Sequence, residues 1–219
     1  MSNIFTYDIV RNGICITGAK KYATKHWTIP NEIDGMPVTE IKAYAFALRD
    51  DVEIVNIPDS VRIIGKEAFR YCENLTCASV YTTRATSIVP LEIDINAFHN
   101  CSALESFDAS VPIYVREFAF WQCSSLREFN AKIIGADKMA FAECVKLRTV
   151  SFGRNAYWEA NSFKKCKSLS HLFFYYPIAR HMPTYSSKMK LLKGKTISCC
   201  RDFNCMDLAY EGYNFDVSL

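Results

Sequence analysis

No stretch of this sequence approaches the ~18 uninterrupted apolar residues of a membrane-spanning helix. Glycine is scarce, eight in 219 residues, and none forms the glycine-rich loop that cradles phosphate. The N-terminus, Met1-Ser-Asn-Ile-Phe-Thr-Tyr-Asp8, has neither the basic start nor the apolar stretch of a signal peptide. Strong net charge is also missing: 26 basic and 23 acidic residues leave +3, too little to mark the whole chain for a polyanionic partner. The four histidines, His26, His99, His171 and His181, share no ligand spacing, and no Cys-x-x-Cys pair occurs. These absences argue against a membrane span, a phosphate loop and a metal site, and no cofactor is expected. As it stands the chain is expected in the cytosol, with the cell surface or secretion as the alternative if a leader precedes it.

What is present is a repeat. Half the residues are apolar, enough for a sizeable core. Phe46, Phe69, Phe98, Phe120, Phe141 and Phe163 recur at intervals of 23, 29, 22, 21 and 22 residues. Each follows a small residue: Ala45, Ala68, Ala97, Ala119, Ala140 and Ser162. Cys72, Cys101, Cys123, Cys144 and Cys166 stand three residues after their Phe, and Leu48 is their expected counterpart in the first unit. Six residues after each Phe come Val52, Leu75, Leu104, Leu126, Leu147 and Leu169, and the positions at nine and eleven are apolar throughout.

Each unit has a readable shape. Apolar residues alternate at its end, as in a half-buried strand. The Ala-Phe-x-x-Cys segment spaces apolar residues by three, which predicts one tight helical turn. One copy cannot bury its own apolar face, but stacked copies share a continuous core in which the Phe rings form an internal column. The expected fold is therefore an α/β leucine-rich-repeat solenoid, strand-dominated with short helical turns. The longer interval between Phe69 and Phe98 predicts an inserted loop within Tyr81–Ser87.

The unit Val61-Arg-Ile-Ile-Gly-Lys-Glu-Ala-Phe-Arg-Tyr-Cys-Glu-Asn-Leu75 resembles the BspA-type leucine-rich repeat. So do the lead-ins Gly13-Ile-Cys-Ile-Thr-Gly18 and Trp27–Ile41. The pattern loosens toward the C-terminus, where Asp94, Arg116 and Asp137 replace the glycine held by Gly65. The resemblance divides the chain into a cap with a degenerate coil (1–37), six repeats of 21–29 residues (38–175) and a C-terminal cap (176–219). It implies adhesion-like binding of a protein or surface glycan and carries no catalytic residues. The expected chain is a monomer, and nucleic acid is not the expected partner.

Five cysteines belong to the repeat column and read as buried thiols rather than disulfides. Cys15, Cys77, Cys199, Cys200 and Cys205 lie outside it. Cys77 and the Cys199–Cys205 cluster are the only material for a thiol enzyme, and no partnering base accompanies them. The expectation is a protein that is not an enzyme. Its candidate contacts are the outward strand positions: Asn56, Ser79, Ser106, Asp108, Glu128, Asn130, Thr149, Ser151, His171 and Phe173. A second candidate is the acid-free segment holding Lys164, Lys165, Lys167, Arg180, Lys188, Lys190, Lys193, Lys195 and Arg201, suited to an anionic polymer or acidic partner. Those nine leave 17 basic against 23 acidic residues elsewhere, so the chain is electrically lopsided.

Overall fold

The computed structural model describes residues 4–22, 24–83, 89–159, 161–175, 195–199 and 215–216. Strands β1 (Phe5–Val10), β2 (Gly13–Ala19), β3 (His26–Thr28), β4 (Glu32–Ile33) and β5 (Met36–Ile41) open the chain. The coils follow with β6 (Ile54–Pro58), β7 (Ile63–Ile64), β8 (Cys77–Tyr81), β9 (Leu91–Ile93), β10 (Ser106–Ala109), β11 (Ile113–Val115), β12 (Glu128–Asn130) and β13 (Lys132–Ala136). Beyond them lie β14 (Thr149–Trp158), β15 (His171–Phe174), β16 (Thr196–Cys199) and β17 (Phe215–Asp216).

The coils from β3 to β13 give one strand to each of two sheets, and the later described strands all join the larger one. One sheet has five parallel strands in the order β12-β10-β8-β6-β3. The other, of twelve strands, runs β1-β2-β5-β7-β9-β11-β13-β14-β15-β16-β17, with β4 paired on β5. Among the described strand pairs, only β1–β2 and β4–β5 are antiparallel. Alternate strand residues point into the space between the sheets, as the period-two pattern requires. Parallel stacking places Val55 beside Ala78, and Ala78 beside Phe107.

The expected helical turn is not there; no helix occurs among the described residues. The Ala-Phe segment is a run of overlapping β-turns. In the first unit Ala45 donates to the Lys42 carbonyl, Ala47 to Tyr44 and Arg49 to Phe46, at 3.2–3.3 Å. Two residues before and two after each Phe the backbone has positive φ: Tyr44 and Leu48, Glu67 and Tyr71, Asn96 and Asn100, Phe118 and Gln122, Met139 and Glu143, Asn161 and Lys165. A right-handed helix cannot absorb such residues. Left-handed residues leave alternate N–H groups pointing along the solenoid axis, where the next coil accepts them. Phe69 donates to the Ala97 carbonyl at 2.7 Å and Tyr71 to His99 at 2.9 Å. Apolar spacing of three is common to a helical turn and to this turn run, so the pattern alone could not separate them.

The Phe rings form the expected column. Centroids of Phe69, Phe98, Phe120, Phe141 and Phe163 lie 4.9–5.3 Å apart with planes within 4° of parallel. A second column, Phe107 and Phe129, packs edge-on against it, with Phe129 4.8 Å from Phe141. Offset stacks and edge contacts of this kind add ~0.5–1.5 kcal/mol each beyond simple burial. Trp27 and Phe5 extend the aromatic core at the N-terminal end, and Trp158 lies against Phe152 and Phe174 at the other.

The cysteine column is more than small hydrophobic filling. Each thiol donates to the carbonyl of the preceding coil's Phe: Cys72 to Phe46, Cys101 to Phe69, Cys123 to Phe98, Cys144 to Phe120 and Cys166 to Phe141, at 3.0–3.1 Å. All seven described cysteines with resolved surroundings are free thiols. Burial pushes Cys72 and Cys166 up to about 12, and Cys101, Cys123 and Cys144 also well above the ordinary thiol range.

Leu48 does not belong to this column. It is 73% exposed, and Arg49 occupies the equivalent position. The Arg49 guanidinium donates to the Ala19 and Lys20 carbonyls, forms a two-pronged pair with Asp51 and lies 4.8 Å from the Trp27 ring. Where the last five units place a thiol under a carbonyl of the preceding coil, the first anchors the N-terminal hairpin. Of the predicted inserted loop, Tyr81 is instead the last residue of β8, its hydroxyl donating to the Ile29 carbonyl. Thr83 donates its N–H and hydroxyl to the buried Asp59 carboxylate. Residues 84–88 fall outside the described set, as does most of 176–219.

Candidate binding face

The outer surface of the five-stranded sheet carries two in-register rows. One runs His26, Ile54, Cys77, Ser106, Glu128 and the other Thr28, Asn56, Ser79, Asp108, Asn130. The inward partners Trp27, Val55, Ala78, Phe107 and Phe129 are in the core, which fixes the outward direction of their neighbours. Side chains in the second row tie to one another. Asn56 Nδ2 reaches Thr28 Oγ1 at 3.3 Å, the Ser79 hydroxyl donates to Asn56 Oδ1 at 2.7 Å, and Asn130 Nδ2 donates to Asp108 Oδ1 at 2.6 Å. The second row is polar throughout, and the side chains tied in this way are already ordered, which lowers the entropy lost when a partner docks.

The predicted contact set divides between the sheets. Asn56, Ser79, Ser106, Asp108, Glu128 and Asn130 lie on the five-stranded sheet, whereas Thr149, Ser151, His171 and Phe173 lie on β14 and β15 of the larger one. Thr149 pairs with His171 and Ser151 with Phe173. The ten-residue β14 causes the division, because it runs on without a break from the row position at Thr149 to its pairing with β13 at Trp158. Arg148 N–H still reaches the Arg127 carbonyl at 3.4 Å, so the stacking direction continues across the change of sheet.

Phe173 stands in a cluster the repeat pattern only partly reveals. Its ring meets Tyr175 at 4.8 Å, edge to face, and Lys132 Nζ sits 4.4 Å from the Tyr175 centroid. Lys132 opens β13 two coils earlier and pairs with Ser151, which pairs with Phe173. Spacing along the chain does not mark Lys132, because its approach depends on lateral pairing. A second row missed by the repeat lies on the turn side: Tyr71, His99 and Trp121, with centroids 5.3 and 4.7 Å apart. Burial lowers the His99 pKa.

The basic candidates behave unequally. Lys164, Lys165 and Lys167 are exposed, and Lys165 pairs with Glu143 at 2.7 Å, which draws the Glu143 pKa down. Next to this pair is a shallow hollow of about 330 Å³, lined by Asn100, Gln122, Ser124 and Glu143 among others. Lys195 faces inward, donating to the Leu169 carbonyl, and burial lowers its pKa. Arg180, Lys188, Lys190, Lys193 and Arg201 lie outside the described residues.

For chemistry, the described residues offer little. No group of three or more His, Cys, Asp or Glu residues is gathered for a metal ion among them. Cys77 is half-buried, with the Ser106 hydroxyl 3.4 Å from its sulfur and no base in hydrogen-bond reach. Cys15 is buried in β2, Cys199 ends β16, and Cys200 and Cys205 lie outside the described residues. No helix of the described residues is long and apolar enough to cross a membrane.

A family model, the BspA type leucine rich repeat region, matches residues 39–170 in six copies. The chain belongs to this family. Solved bacterial structures share the fold. A leucine rich repeat protein of T. pallidum is 18% identical with a TM-score of 0.54, over 98% of this chain and 96% of that one. A leucine rich cell surface protein of Faecalibacterium prausnitzii is 19% identical with a TM-score of 0.51, over 90% of this chain but 44% of its own. The pneumococcal vaccine antigen PcpA is 12% identical with a TM-score of 0.52, over 98% of this chain and 48% of its own. The chain thus spans nearly the whole of one relative and about half of the other two. At these identities the likeness concerns the fold alone. No curated protein matches.

Proposed function

We propose that this BspA-type repeat protein is a non-catalytic interaction module that binds a protein or a surface glycan on the outer face of its five-stranded sheet. The single observation that carries the reading is the pair of in-register outward rows, running from His26 and Thr28 to Glu128 and Asn130. Five strands at about 4.8 Å give a strip near 20 Å long, enough for a patch on a folded protein or an extended ligand. Phe173, Tyr175 and Lys132 supply aromatic and cationic anchors of the kind that dominate binding energy, just beyond the C-terminal end of that strip.

Adhesion is the biological setting that the family resemblance implies, and the Faecalibacterium relative is itself described as a cell surface protein. An anionic polymer at the basic end is the lesser reading, since Lys165 is engaged by Glu143 and Lys195 is turned inward. An array of purified proteins and glycans probed with the intact chain tests the proposal. Binding to at least one member should be lost on Asn130→Arg or Phe173→Ala and should change little with salt. Binding only to heparin or nucleic acid, falling steeply as salt rises, would favour the basic end instead.

A further inference from the structure

Between the residue three after its Phe and the next strand, every unit has three positions outside the apolar columns, four, five and seven residues after the Phe, and the charged residues there are exposed or half-buried except Asp51. The last of these positions forms a continuous ladder. Thr76 N–H donates to the Glu53 carbonyl, Glu105 to Thr76, Arg127 to Glu105, Arg148 to Arg127 and Ser170 to Arg148, at 2.8–3.4 Å. Within the six units charge along this edge sorts by sign, although the ladder runs on at its acidic end to Lys25, whose carbonyl accepts the Glu53 N–H at 2.8 Å. The first three units place only acids there: Asp50, Asp51 and Glu53, then Glu73, then Glu105. The last three place only bases: Arg127, then Lys146 and Arg148, then Lys167.

Asp51 and Glu53 are matched within the chain, by Arg49 and Lys25. Asp50, Glu73, Glu105, Arg127, Lys146, Arg148 and Lys167 are all exposed, and none has an ion pair within the described residues. Elsewhere on the solenoid, neighbouring coils pair opposite charges, as Arg116 does with Glu92 and Asp137. On this edge the acids and bases are instead segregated into two halves that meet at Glu105 and Arg127, which leaves most of them exposed without an opposite charge on the neighbouring coil.

The order has a symmetry. Reversing the edge end for end exchanges each acidic unit with a basic one: first with sixth, second with fifth, third with fourth. We propose that this edge docks on the same edge of a second copy, antiparallel, about a twofold axis between the third and fourth units. Glu105 then faces Arg127 of the second copy, Glu73 faces Lys146 and Arg148, and Asp50 faces Lys167, each contact occurring twice. This departs from the monomer the sequence alone suggests and leaves the strand face free. Exposed ion pairs are individually weak, so the dimer belongs to low ionic strength and high protein concentration.

Sedimentation equilibrium of the intact chain at about 20 mM and about 300 mM salt tests this. The wild type should associate at low salt, with the constant falling at least about tenfold at high salt. Glu105→Arg and Arg127→Glu should each weaken association about tenfold. The double exchange restores the facing pair only in the antiparallel register, and should return to within about threefold of wild type. Glu105→Gln, a milder change, guards against a misfolded reversal, and circular dichroism confirms the fold of each variant. A wild type that stays monomeric at low salt overturns the proposal. So does a dimer indifferent to the single changes or not restored by the double one. Binding on the strand face should be unaffected throughout, so the two proposals fail separately.

Discussion

The Cys123 thiol donates to the Phe98 carbonyl at 3.1 Å, and the same oxygen accepts the Cys101 N–H within its own coil at 3.1 Å. One carbonyl thus closes a turn and holds the following coil. The arrangement recurs at five levels, which gives the cysteine column a bonding role as well as a packing one.

Removing that donor should be costly but not ruinous, because the Phe98 carbonyl keeps its backbone partner. Cys123→Ala is expected to lower stability by about 1–2 kcal/mol in urea unfolding, from the lost bond and the small cavity together. Among the described cysteines of the native protein, Cys77 should label first with a thiol reagent near pH 8, and the column thiols only as the chain unfolds. Labelling of Cys123 as fast as Cys77 would contradict the buried ladder.

The left-handed turn residues give a prediction whose sign separates turn from helix. Tyr44 has φ of 62° and is 53% exposed. Its N–H bond to the Lys66 carbonyl does not need the side chain. Tyr44→Gly should therefore raise stability, by about 0.5–1 kcal/mol, whereas the same change inside a helix would lower it by about 1 kcal/mol. Tyr44→Val should lower it, because a β-branched side chain tolerates positive φ worst. Thermal and urea unfolding of the three proteins decides between the two backbones.

Acid should expose the contribution of Arg49. It holds the Asp51 carboxyl down to about 2, from an ordinary value near 3.8, aided by the Tyr22 N–H. A carboxyl depressed in the folded state stabilises above its unfolded value, and that contribution is lost as pH falls through the folded one. The stabilisation, about 2 kcal/mol, should be complete above pH ~5 and gone near pH ~1–2. Asp51→Asn should remove it at neutral pH and flatten the acid limb of the stability profile. An unchanged limb would mean the pair with Arg49 contributes little.

The Phe column, the buried thiols and the outward strand positions were legible because each depends on spacing within one strand or one unit. The turn conformation was not, since helices and β-turn runs share an apolar interval of three and differ in φ, which most residues at these positions do not announce. Apart from the asparagines at 96, 100 and 161, the left-handed positions hold Tyr, Leu, Glu, Phe, Gln, Met and Lys, not glycine. Arg49 in the thiol position and the approach of Lys132 to Tyr175 were hidden for another reason. Both depend on which residues lateral stacking brings together, and a repeat alignment averages such contacts away. The division of the predicted face at β14 has the same origin.

The outer face of the five-stranded sheet is the centre of this account, and paired substitutions test it most directly. A Ser106→Arg, Asn130→Arg protein should lose binding to the array members that the wild type captures. A Ser102→Arg, Ser124→Arg protein, altered to a similar degree on the turn side, should retain it. Retention by the first protein and loss by the second would contradict the assignment and move the binding surface to the turn side.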